Sequence, residues 1–201
     1  MFWVQVASRT SRLGFALLCS ALTPASAFAH SEAVGNGLMA GVLHPVTGLD
    51  HLLAMLAVGI LSVRLGGASI WRIPAAFVTA VAMGAWAGSH GWPAPAYEAV
   101  IAWSVLVLGL AIACEGARRA LGVVLLCVVL FGLCHGYAHG VELPAGVSAV
   151  FYATGFLIST VFIHVVGIFI GELASNSLWH SRILRGLGAA MALAGVWFVL
   201  H

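Results

Sequence analysis

The chain has 201 residues, of which 62% are hydrophobic and only 7% are charged, and its formal net charge is +2. A soluble globular domain has about 25% charged residues, so this composition is typical of a membrane protein. All eight cationic residues are arginine, which excludes a P-loop lysine and a Schiff-base lysine, and no basic cluster indicates nucleic-acid binding. The four cysteines form no CxxC pair, so we predict no disulfide framework.

The first 29 residues have the pattern of a cleavable signal peptide. Arg9 and Arg12 precede the short apolar run LGFALLCSAL, and the small-residue triplet AFA at 27–29 is a typical cleavage site. We therefore predict a signal peptide over 1–29 and a mature chain that begins at His30. The alternative is an uncleaved first transmembrane helix, which the shortness of the apolar run disfavours.

Six apolar stretches follow, each long enough to cross about 30 Å of hydrocarbon. Short segments with turn or charge signals separate them. The sequence predicts an all-α polytopic membrane protein, in which 30–201 form one six-transmembrane-helix bundle in the lipid bilayer and carry no soluble domain. The stretches lie roughly at 37–62, 71–90, 96–114, 120–139, 146–170 and 183–200.

The arginines predict the orientation of this bundle. If the mature N-terminus is periplasmic, the loops at 63–70, 115–119 and 172–182 face the cytoplasm. Every arginine of the mature chain lies in or beside one of these loops, as the positive-inside rule requires. We therefore expect a protein of the bacterial inner membrane with both termini in the periplasm. These arginines are Arg64, Arg72, Arg118, Arg119, Arg182 and Arg185.

Glycines recur at four-residue spacing in several stretches, as in Gly84 and Gly88, in Gly132, Gly136 and Gly140, and in the pair at 167 and 171. Small residues at this spacing let membrane helices approach closely. The pattern predicts tight helix packing rather than a functional site.

The first group of ionisable residues inside an apolar stretch is His44, Asp50 and His51, in the segment HPVTGLDH. Such groups are costly in a membrane and indicate function. On a straight helix His44 and His51 would lie about 10 Å apart along the axis, too far to bind one ion. Pro45 and Gly48 predict a helix break, with His44 as a cap residue that folds back toward the other two. The alternative is a helix-capping Asp50 with histidines bonded to nearby carbonyls.

The second group is His135, His139 and Glu142, in the segment CHGYAHGVE near the outer end of the fourth stretch. The histidines are four residues apart on one helical face, a spacing that suits two imidazoles binding one metal. This group and His44 lie at overlapping depth in the outer half of the membrane, which predicts one shared intramembrane site. Imidazole with carboxylate suits Ni²⁺, Co²⁺ or Zn²⁺ better than Mg²⁺ or Ca²⁺. The alternative is a histidine pair that only bonds between helices.

Five other ionisable residues are weaker candidates. His164, deeper in the fifth stretch, is either an inner relay ligand or an ordinary interhelical histidine. His90 suits the membrane interface, and His30 would offer an imidazole and a free amine after cleavage. Glu115 and Glu172, at cytoplasmic helix ends, would receive a departing cation, although loop solvation explains them equally well.

The two motifs together resemble the HupE/UreJ family of small nickel permeases, through HPVTGLDHLLAMLAVG at 44–59 and HGYAHGVELPAG at 135–146. The resemblance covers essentially the whole chain. It implies uptake of Ni²⁺, or of cobalt in some members, at His44, Asp50, His51, His135, His139 and Glu142. One departure is Cys134, where family members commonly have Phe, and it leaves the exact coordination open.

We therefore predict a permease, not an enzyme, that imports a divalent transition metal from periplasm to cytoplasm. Ni²⁺ is the expected substrate, Co²⁺ and Zn²⁺ are the alternatives, and no prosthetic group is expected. An intramembrane metal-dependent hydrolase is the alternative of another class, although the sequence contains no HExxH motif. Bis-histidine haem binding is a third interpretation. No sequence signal indicates an oligomeric state.

Overall fold

A computed structural model describes residues 37–114, 117, 120–175 and 179–201. Its regular structure is entirely helical over these residues, which confirms the all-α prediction. The predicted signal peptide and several residues of interest, His30, Glu115, Arg118 and Arg119, lie outside them. The described helices are α1 (Gly37–Thr47), α2 (Leu49–Leu65), α3 (Ser69–Ser89), α4 (Tyr97–Ala113), α5 (Leu121–Val141), α6 (Ala149–Ser175) and α7 (His180–Leu200).

Four of these helices, α3, α5, α6 and α7, are long and apolar enough to cross a membrane. A fifth span results if α1 and α2 are taken together, although their axes differ by 82°. Helix α4 is apolar but has only 17 residues. The described part of the chain therefore holds four or five candidate spans, and the predicted count of six stays a prediction. Large apolar side chains such as Leu126, Phe162 and Leu193 are exposed, as on a lipid-facing surface.

Helix α2 lies at the centre of the bundle. It packs along α6 and also contacts α3, α4 and α7, while α3 packs along α5 and α4 along α7. From Ala57 to Val63 every residue of α2 is buried. The polar Ser62 is accommodated there because its hydroxyl donates to the carbonyl oxygen of Gly59, at 2.7 Å. The middle of α2 is therefore held in place from several sides.

Glycines bring the backbones of the paired helices into direct contact. A Cβ atom added at Gly136 would collide with the carbonyl oxygen of Val81, which joins α5 to α3. A Cβ atom added at Gly167 would lie 2.5 Å from the carbonyl oxygen of Leu56 and 3.0 Å from Cα of Gly59, where α6 crosses α2. The predicted close packing at glycines is confirmed at these crossings.

Two described arginines mark the end of the bundle opposite to the break between α1 and α2. Arg64 lies in the last turn of α2, and its Nη2 donates to the carbonyl oxygen of Cys114 beyond the end of α4, at 3.0 Å. Arg72 follows in the first turns of α3. This end lies about 24 Å along α2 from its first residue. The assignment of this end to the cytoplasm stays a prediction.

We expect Gly59→Ala to destabilise the protein, because the new methyl group would collide with the backbone of α6 at His164 and Gly167. Overpacking of this kind costs about 1–3 kcal/mol. Thermal unfolding of the detergent-solubilised protein should show a midpoint several degrees lower than that of the parent. The matched control is Gly186→Ala in α7, where an added Cβ atom meets no neighbour within 4 Å. Equal midpoints for the two variants would show that the α2–α6 crossing is not tightly packed.

Candidate metal site

A break between α1 and α2 determines the geometry of the site. Gly48 has an extended conformation (φ −91°, ψ 110°) between the two helices, and the hydroxyl of Thr47 donates to the carbonyl oxygen of His44, at 2.8 Å. A break here was predicted, but its details differ from the prediction. Pro45 lies in the last turn of α1, so His44 is a helical residue and not a cap. The fixed φ of proline fits a helix, and because proline has no N–H, the helical hydrogen bond from residue 45 to the carbonyl oxygen of Gly41 is absent.

One imidazole–carboxylate pair joins α1 to the end of α5. Nε2 of His44 donates to Oε2 of Glu142, at 2.9 Å. The two side chains are partly exposed, by 31% and 48%. His139 lies beside them, so that one ligand atom from each of the three residues falls within 4.8 Å of the others. This group is therefore the open mouth of the site.

A second imidazole–carboxylate pair lies in the first turn of α2. Oδ1 of Asp50 accepts hydrogen bonds from the backbone N–H of His51, at 2.8 Å, and from Nδ1 of His51, at 2.9 Å. These contacts fix the orientation of the His51 ring and leave its Nε2 atom for another partner. The carboxylate also lies at a helix N-terminus, where negative charge is favoured.

Four imidazoles from α1, α2 and α5 form a continuous file. The ring centroids of His44 and His139 are 4.7 Å apart, those of His139 and His51 are 4.7 Å apart, and those of His51 and His135 are 4.9 Å apart. The file begins at the partly exposed His44 and ends at His135, which is completely buried. It leads from the mouth of the site into the bundle.

The file presents several ring nitrogens that have no hydrogen-bond partner in the described part of the chain. They are Nε2 of His51, Nε2 of His135 and both nitrogens of His139, and all are buried. The Nδ1 atom of His135 is bonded to the carbonyl oxygen of Phe131, at 2.8 Å, which leaves Nε2 as its free atom. An unpaired buried polar atom costs about 1–3 kcal/mol. A divalent transition metal accepts lone pairs from such nitrogens, so this set of donors fits one.

The six predicted residues thus come together at the end of α1, the start of α2 and the end of α5. Sequence reasoning missed the aromatic residues of α6 that line the file. The ring of Tyr152 lies 5.8 Å from that of His44, and the ring of Phe156 lies 4.0 Å from that of His139. Their four-residue spacing on one helical face was the available signal. The metal-binding role of the six residues stays a prediction.

The weaker candidates that the structure describes lie apart from the file. Nδ1 of the exposed His90 bonds to the carbonyl oxygen of Trp86, at 2.8 Å, and its interfacial role stays a prediction. Glu172 is exposed near the end of α6, and Cys134 is partly buried on α5. His164 is buried on α6 and does not belong to the four-imidazole file.

Fold and site together define a helical membrane protein with a cluster of imidazoles and carboxylates beside a broken helix. The sequence matches the family described as HupE / UreJ protein over residues 17–198. It is also similar to Protein HupE from Rhizobium leguminosarum bv. viciae, with 40% identity over 178 residues that cover 89% of this chain and 92% of the relative. The chain therefore belongs to the HupE/UreJ family. No solved structure matches it.

Family membership confirms the resemblance that the two motifs indicated. Because the family consists of permeases, it also confirms that the chain is not an enzyme.

We expect Asp50→Asn to weaken metal binding, because the carboxylate orients the His51 ring and fixes which nitrogen faces the file. Loss of such an orienting partner typically costs about 10–100-fold in metal affinity. Titration calorimetry of Ni²⁺ into the purified protein measures this loss. The control is His201→Asn, which removes an exposed imidazole at the end of α7, bonded only to its own helix at Trp197. A parent-like affinity for Asp50→Asn would contradict the orienting role.

Proposed function

We propose that the protein is a permease that imports a divalent transition metal, Ni²⁺ before Co²⁺ or Zn²⁺, from the periplasm to the cytoplasm. The binding site consists of His44, Asp50, His51, His135, His139 and Glu142. The observation that carries the proposal is the file of four imidazoles, whose buried nitrogens lack partners among the described residues. Family membership supports a transport function.

The mouth of the site attracts the cation and removes its first water molecules. Glu142 offers a partly exposed carboxylate, which favours a dication by charge. If Nε2 of His44 binds the cation, entry breaks the hydrogen bond to Glu142, because a nitrogen that carries a proton offers no lone pair. The proton then lies on Nδ1, and the ring binds as the other neutral tautomer.

His139 passes the cation from the mouth to the buried part of the file. Its ring contacts both His44 and His51, and both of its nitrogens are unpaired within the described chain. Overlapping sites of this kind let an ion move in short steps, each of which replaces one ligand by the next. His51 and His135 then hold the cation where it is fully shielded from water.

Asp50 acts through His51 in this scheme. It was predicted as a metal ligand, but its Oδ1 atom already accepts two hydrogen bonds from His51. An imidazole that donates one N–H to a carboxylate is a more basic ligand at its other nitrogen. Asp50 therefore strengthens the binding of metal by Nε2 of His51.

The membrane potential supplies enough energy for accumulation. An inward-negative potential contributes about 2.3 kcal/mol per charge per 100 mV, so a dication gains about 4.6 kcal/mol, equivalent to roughly a thousandfold accumulation. This applies to the proposed arrangement, in which 1–29 are a cleaved signal peptide and 30–201 form the permease domain in the inner membrane. Both termini are then periplasmic, and Arg64 and Arg72 are cytoplasmic. Family membership argues against the hydrolase alternative.

Flux of radiolabelled Ni²⁺, Co²⁺ and Zn²⁺ into proteoliposomes tests the proposal. We expect uptake by the parent that rises when an inward-negative potential is imposed. His51→Ala and His139→Ala should each reduce the flux by at least about tenfold, because each removes a buried ligand that joins its neighbours in the file.

The matched control for this experiment is His201→Ala, which removes an imidazole far along the chain from both motifs. Its flux should equal that of the parent. Undiminished flux in both His51→Ala and His139→Ala would rule out the file as the transport site, and an absence of flux in the parent for all three metals would rule out the permease assignment.

A further inference from the structure

A fifth buried imidazole, His164 of α6, lies beyond the inner end of the file. It is only 1% exposed, and both of its ring nitrogens lack hydrogen-bond partners among the described residues. A structural histidine between helices normally bonds through at least one nitrogen. The file does not account for this unpaired imidazole, since no ring of the file contacts it directly.

One apolar ring contacts both His164 and the inner end of the file. Phe77 of α3 is completely buried, and its centroid lies 5.6 Å from that of His135 and 5.2 Å from that of His164. The spacing between rings is thus nearly the same as within the file, but the intervening ring offers no lone pair. The Phe77 ring therefore lies beside the shortest route from His135 to His164.

One face of α6 runs alongside this whole route. Tyr152, Phe156, Thr160 and His164 follow one another at four-residue spacing, and all are buried. The first two contact imidazoles of the file. The hydroxyl of Thr160 donates to the carbonyl oxygen of Phe156, at 2.9 Å. His164 lies about 12 Å further along the helix than Phe156, on the same face.

A groove of about 380 Å³ adjoins His164 between α3 and α6 and opens at the surface of the bundle. Its lining is mostly apolar and includes exposed side chains such as Trp71 and Val165. Trp71 lies in the first turn of α3, next to Arg72. His164 therefore borders open space that extends toward the end of the bundle that carries Arg64 and Arg72.

We propose that His164 is a second, inner binding station for the transported cation, and that Phe77 is the barrier between this station and the file. This inference rests on the proposed permease function and adds the inner half of its route. An apolar constriction between two groups of ligands excludes water and holds the ion on either side of it. Transport then requires one step past the Phe77 ring, and the six predicted residues alone do not complete the route.

The first test separates binding from transport in His164→Ala and His164→Gln. Flux of Ni²⁺ should fall by at least about tenfold in both variants, whereas binding to the file, measured by titration, should keep the parent affinity. The glutamine variant keeps a polar side chain in the buried position, so a folding defect in the alanine variant does not decide the outcome. The control is Ser104→Ala, which removes a buried hydroxyl of α4 that bonds only within its own helix.

The second test measures access to position 164 directly. His164→Cys is placed in a background without the four native cysteines and treated with a small, membrane-impermeant methanethiosulfonate reagent. We expect labelling from one side of the membrane only. Adding Phe77→Ala should allow labelling from both sides, whereas the control Phe198→Ala on α7 should leave it one-sided.

The outcomes distinguish this inference from the function on which it rests. If the parent transports metal and His139→Ala does not, while both His164 variants keep the parent flux, only the inner station is wrong. Labelling from both sides with Phe77 intact overturns the barrier. If the parent transports no metal, the permease function itself fails.

Discussion

The main physical constraint on this structure is that it buries imidazoles in an apolar bundle that offers them few hydrogen-bond partners. His135, His139 and His164 are each no more than 2% exposed, and most of their ring nitrogens have no hydrogen-bond partner in the described chain. Each unpaired nitrogen costs about 1–3 kcal/mol of stability. The packing of the rest of the bundle must therefore offset the total cost. Backbone contact at glycines such as Gly59 and Gly136 gives α2 and α5 the close packing that this requires. A bound dication recovers part of the cost, which couples metal binding to stability.

The break at Gly48 explains how residues from one short segment serve one site. On a continuous helix, His44 and His51 would be separated by about 10 Å along the axis. The 82° bend lets both rings contact His139 instead. The two carboxylates then take different positions, with Glu142 at the mouth and Asp50 behind His51. Because of the bend, His44 lies at the entrance of the site and His51 lies deeper inside it.

Sequence reasoning identified both ionisable groups and the broken helix, because ionisable residues and the pair Pro45 and Gly48 stand out in an apolar chain. It did not show that the His139 ring contacts both His44 and His51, since that depends on how α1 and α2 pack against α5 and α6. Nor did it find Phe77 or the lining face of α6. Tyr152 and Phe156 share a four-residue spacing on α6, but in a helix that is apolar all round the hydropathy pattern does not show which face meets a site. Phe77, an apolar residue in an apolar stretch of α3, carries no signal of its own.

The packing of α1 has a consequence for how the protein is made. The helix packs mainly on α6, which is synthesised about a hundred residues later. During biogenesis the segment that contains His44 therefore cannot make its main packing contact until α6 has been inserted. A nascent chain truncated before that point would lack an assembled entrance, however well its earlier helices had integrated.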